Sequence, residues 1–137
     1  MKRLIPWAQF FRLPNLPTAP GDAVAGAAIC MAVSLENAKP GATGIAIGAG
    51  LAALFLYMFG LADNDISGYK SDITYAPHRP LVAGSITLSH ALLARLACLL
   101  FVAAIGFICG MPIEWWSVVF LFFISITLYN RLKDKYR

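Results

Sequence analysis

Residues 63–84, DNDISGYKSDITYAPHRPLVAG, follow directly on an apolar run over 42–62, ATGIAIGAGLAALFLYMFGLA. A second apolar run opens at Leu88 and continues to Met111. Each run is at least as long as the roughly 20 residues a helix needs to cross a bilayer. The stretch therefore reads as two membrane spans joined by a polar segment. That segment holds Asp63, Asp65 and Asp72, three of the seven acidic residues in the chain, together with Asn64, Lys70, His78 and Arg79. The fold class that follows is all-α, a polytopic membrane helical bundle.

Composition agrees. The chain is 59% hydrophobic and 13% charged, with a mean hydropathy of +0.70. A soluble domain carries about a quarter charged residues, so the lipid bilayer is the expected partner and solvent. The net charge of +4 does not point to nucleic acid, because the basic residues flank the apolar runs as topology signals do. Cys30, Cys98 and Cys109 sit singly in apolar surroundings, a spacing that suits neither a metal site nor a disulfide framework.

Outward from the acidic stretch, residues 1–137 read as a single membrane domain. Residues 1–16 mix Trp7, Phe10 and Phe11 with Lys2, Arg3 and Arg12, which suits a short interfacial helix. A first span is expected over about 17–35, opened by Pro17 or Pro20, since proline is tolerated where a helix starts. Asp22 near its start reads as a helix-start carboxylate or a polar contact. A polar turn, ENAKPG, precedes the second span, 42–62. The Asp-rich loop occupies 63–84 and is read as partly helical. The third span covers 88–111 with Arg95 inside it, either paired with a loop Asp or snorkelling to the interface. The fourth covers 113–129, anchored by Trp115 and Trp116 at one end and Tyr129 at the other. With four spans both termini and the Asp-rich loop share one side. That side collects nearly all Lys and Arg residues, against Lys39 alone opposite, and is expected to be cytoplasmic.

Carboxylates with an Asn amide are hard oxygen ligands that suit Mg²⁺, an ion usually completed by substrate phosphates. On a helix through this stretch, Asp65 and Asp72 fall within roughly 20° of one face and about 10 Å apart along the axis. That spacing frames a diphosphate with a metal at each end. Asn64, Asp65 and Asp72 are the candidate metal ligands. Lys70 and Arg79 are candidate donors to phosphate oxygens.

The order of these residues resembles the first Asp-rich motif of the UbiA superfamily of intramembrane prenyltransferases. The family pattern N-D-x-x-D-x-x-x-D, followed by R-P-[LI]-x-x-G, aligns with Asn64, Asp65 and Asp72 and with Arg79, Pro80, Leu81 and Gly84. Arg12 and Asn15 resemble an R-x-x-N element of the family's first helix, and YNRLKD after the fourth span resembles the exit from its fourth. The resemblance implies a partial UbiA-like fold and prenyl transfer from an isoprenyl diphosphate to a small-molecule acceptor, often aromatic. It also implies Mg²⁺ held by two Asp-rich motifs, and Asn15 among the diphosphate-binding residues.

There are two departures. The central Asp of the motif falls on Gly68, and the second Asp-rich motif has no counterpart in these 137 residues. The resemblance thus extends to the N-terminal half of such an enzyme, a fragment expected to be inactive alone and to need a C-terminal half. Two other classes stay open on the residues: a non-catalytic small membrane protein or assembly partner that keeps the loop, and a cation-handling protein using Asp63, Asp65 and Asp72.

Overall fold

The computed structural model of the chain describes residues 4–33 and 42–135. Helix α1 (Leu4–Phe10) leads through a short 3-10 turn, Leu13–Asn15, into α2 (Thr18–Val33). Then come α3 (Ala42–Ser67), α4 (Tyr69–Tyr75), α5 (Leu88–Ile108) and α6 (Ile113–Lys135). The ENAKPG turn, Lys2, Arg3 and Lys39 lie outside the described residues. The molecule is an all-α membrane bundle, and α3 is its hub: α2, α5 and α6 all pack against it.

Three helices among the described residues are long and apolar enough to cross a membrane: 43–67, 88–108 and 113–133. The 16 described residues of α2 reach about 24 Å at 1.5 Å per residue, a little short of a hydrocarbon core. α5 and α6 leave Leu93, Leu100, Phe107, Phe120 and Leu121 exposed, as helices do when lipid is the solvent for their outer faces. Ring contacts tie them to the hub, Phe55 stacked on Phe101 at 4.7 Å and Phe59 tilted against Phe123 at 5.3 Å.

Local chemistry sets the helix ends. Thr87 caps α5, its hydroxyl accepting from the His90 N–H at 3.3 Å, as a helix N-terminus with unpaired N–H groups requires. At the other end Gly110, with φ of 59°, completes a Schellman turn: its N–H donates to Phe107 O at 3.2 Å, and Met111 N–H to Gly106 O at 2.9 Å. Pro112 follows and α6 begins at once. The third span therefore ends three residues before the expected 111. The fourth continues past 129, carrying Asn130 and Lys133 on the same helix.

The N-terminal segment packs on the bundle. Phe10 is 1% exposed and joins Ala62, Leu81, Ile86 and Ala91 in one core cluster, with Trp7 and Phe11 packed against it. The 1–16 aromatics thus find protein neighbours at the end of α3, the following loop and the start of α5. Aromatic side chains gain most where they bury large area, and this junction offers it. Arg12 closes the segment with φ of 48°, an uncommon left-handed conformation for a residue with a Cβ.

The α5–α6 hairpin rests on one close approach. A Cβ on residue 106 would lie 2.6 Å from both Trp115 Cζ3 and Trp116 Cζ2. Gly106→Val is therefore expected to destabilise the bundle by about 1–3 kcal/mol through overpacking, measured by chemical unfolding in micelles. Ala104→Val, at an exposed position of the same helix, is expected to have little effect.

Candidate functional site

α3 has 26 residues and spans about 39 Å, more than the roughly 30 Å hydrocarbon core. Its last turns, Asp63 to Ser67, consequently stand at the membrane boundary. Asp63 and Asp65 are two residues apart, about 200° around the helix axis, so they face different neighbours.

Asp63 turns toward α5 and α6 and is 2% exposed. Its Oδ1 accepts from Arg95 Nη1 at 2.9 Å and its Oδ2 from Asn130 Nδ2 at 3.0 Å. Of the two options for Arg95, the structure selects pairing with Asp63. The same Asn130 amide reaches Gly60 O at 3.4 Å. Three helices are thus joined through one carboxylate. A buried charge is tolerated only when paired and hydrogen-bonded, which accounts for the convergence.

Asp65 and Asp72 form the other face. The helix breaks at Gly68, the poorest helix former short of proline, and α4 resumes with Asp72 fully buried. The two carboxylates share a face, as their spacing predicts. Their side chains do not stand apart to frame separate ions, however. Arg79 Nη1 donates to Asp65 Oδ1 at 3.2 Å and also to Asp72 Oδ2. Asn64 Nδ2 donates to the same Asp65 oxygen at 3.2 Å, and Arg12 Nη2 lies 3.9 Å from it. Asn64 Oδ1 accepts from Lys133 Nζ at 3.2 Å. Beside this cluster is a cavity of about 440 Å³ lined by Gln9, Arg12, Asp65, His78, Arg79 and Pro80.

The structure therefore brings together Asn64, Asp65, Asp72 and Arg79. Lys70 is exposed on α4 and does not line the cavity. Asn15 is also exposed and off the cavity; its backbone carbonyl accepts from Thr18 Oγ1 at 2.7 Å. Sequence reasoning gave no site contact to Arg12, read as an interfacial cation and part of an R-x-x-N element, or to Asn130 and Lys133, read only within the YNRLKD exit of the fourth span. A polar Asn at the end of an apolar helix was the available signal for Asn130.

The chain matches the model of the UbiA prenyltransferase family over residues 23–136. It belongs to that family. The match takes in the acidic end of α3, the Arg79 loop and the polar end of α6. No curated protein and no solved structure matches the chain.

UbiA membership makes Mg²⁺ the ion to test against these residues. Asn64, Asp65 and Asp72 have the right oxygen chemistry, but the oxygens that converge are already engaged by Arg79 and Lys133. Among the described residues, no group of three or more His, Cys, Asp or Glu side chains is placed to hold a metal. Asp63, the one other carboxylate nearby, faces Arg95 and does not fill the place left by Gly68. As arranged, the residues do not fit a divalent ion.

The Asp63–Arg95 pair supplies a stability test. Asp63→Ala leaves a partly buried guanidinium uncompensated and is expected to cost about 3 kcal/mol. Asp63→Leu combined with Arg95→Leu is expected to recover part of that loss. A double-mutant cycle by unfolding in micelles measures the coupling.

Proposed function

We propose that this UbiA-family chain binds an isoprenyl diphosphate at the acidic end of α3 and belongs to an enzyme that transfers the prenyl group to an acceptor of aromatic class. The observation that carries this is the cavity flanked by Arg12 and Arg79, two permanent cations beside the family's Asp-rich segment. Guanidinium groups suit phosphate oxygens because their planar fork offers paired donors. Arg79 is 22% exposed in its side chain and Arg12 43%, so both present donors to an incoming anion while resting on Asp65.

The chemistry asked of these residues is electrostatic. As the C–O bond of an allylic diphosphate breaks, the electron pair stays with the diphosphate oxygen and the prenyl carbon becomes cationic. Fixed cations at the diphosphate stabilise that growing negative charge. The acceptor then attacks the carbon and loses a proton. Mg²⁺ is the ion that UbiA membership implies, but the converging oxygens are held by Arg79 and Lys133.

The basic residues around both termini and the Arg79 loop favour a cytoplasmic location for this end of the bundle. The 137 residues hold one Asp-rich stretch, whereas the family resemblance implies two for turnover. The chain alone is therefore expected to bind an isoprenyl diphosphate without consuming it. Arg12→Ala and Arg79→Ala are each expected to weaken that binding about tenfold, the scale of one charge-assisted contact. Titration calorimetry in nanodiscs checks both, and steady turnover by the 137-residue chain would refute the two-motif requirement.

A further inference from the structure

We propose that Arg79 takes the place of a divalent cation between Asp65 and Asp72, so that the acid pair of this chain is closed to metal while Arg79 bridges it. One guanidinium nitrogen donates to a carboxylate oxygen of each residue, a position on which a shared ion would have to sit. Both carboxylates are buried, Asp65 at 5% and Asp72 at 1% exposed, so in their charged form they need a cation beside them.

Arg79 is delivered by a fixed turn. Its N–H donates to Ala76 O at 3.0 Å and its carbonyl accepts from Ala83 N–H at 2.8 Å. The next residues, Pro80 and Leu81, are buried, and Leu81 belongs to the core cluster with Phe10 and Ala62. The charge balance points the same way. Asp65 faces Arg79 and Arg12, and Asp72 faces Arg79. A divalent ion added between the two carboxylates would meet the Arg79 guanidinium there, with Arg12 beside Asp65, which disfavours it.

Gly68 explains why two acids suffice for this arrangement. A Cβ on residue 68 would lie 3.6 Å from Asp72 Oδ2, the oxygen that accepts from Arg79, and 3.1 Å from Asn64 O. A carboxylate at 68 would be aimed into the acid pair and would tilt its charge toward a divalent ion. With glycine there, one guanidinium and its neighbour Arg12 balance the pair.

Mn²⁺ binding, followed by electron paramagnetic resonance on the full chain in nanodiscs without diphosphate, tests this separately from substrate binding. The wild-type chain is expected to show only weak binding, and a site tighter than about 100 µM, well inside the range of built oxygen-ligand sites, overturns the proposal. Arg79→Gln is expected to bind Mn²⁺ at least tenfold more tightly, and Arg79→Gln with Asp72→Asn to lose that gain. A folded Arg79→Gln variant with unchanged affinity overturns the proposal. Should Arg79→Gln lose its helical, monodisperse state, the wild-type titration decides instead: binding weaker than about 100 µM supports the proposal, and tighter binding overturns it.

Discussion

Three carboxylates buried where α3 ends and α4 begins constrain everything around them. Asp63, Asp65 and Asp72 are each nearly inaccessible, and a bare carboxylate in such a place is untenable. Their cations come from different parts of the chain: Arg95 of α5 serves Asp63, Arg79 of the loop after α4 serves both Asp65 and Asp72, and Arg12 of the N-terminal segment lies beside Asp65. Pairing these charges fixes where those elements lie relative to α3. Electrostatic compensation thus does much of the positioning that hydrophobic burial does in a soluble domain, because lipid gives apolar side chains little reason to prefer one another.

The two sides of α3 divide the labour. The Asp63 side, with Arg95 and Asn130, ties three helices and sets the rotation of α3. That rotation turns Asp65 toward the cavity. The Asp65 side carries Arg79 and Arg12 beside the cavity. The acidic stretch is therefore a structural knot as well as the wall of that cavity, and after the break at Gly68 α4 carries Asp72 to the same guanidinium.

Much of this was legible in the residues. Apolar runs over 42–62 and 88–111 marked spans because every backbone group in lipid must be satisfied within a helix, and helices occupy both. The Asn64, Asp65 and Asp72 pattern with Arg79 pointed to the family before any coordinates. The helix period placed Asp65 and Asp72 on one face, where they are found. Other parts were not legible. Asp63 and Asn130 meet across 67 residues, and Asn64 and Lys133 across 69. No local periodicity encodes such contacts. The burial of Phe10 was hidden for a similar reason: an aromatic beside basic residues suits a lipid interface and a protein groove equally.

By itself the sequence determined that the chain is a helical membrane protein, that its carboxylates cluster just after the second apolar run, and which family it belongs to. These are properties of composition, run length and residue order, which lipid as a solvent makes nearly decisive. Only the tertiary structure decided which cation serves which carboxylate. Arg12, Arg79 and Arg95 are equivalent charges in one dimension. They become distinct only when packing puts Arg95 beside Asp63 and Arg79 between Asp65 and Asp72, because a buried ion pair depends on geometry within a few ångström.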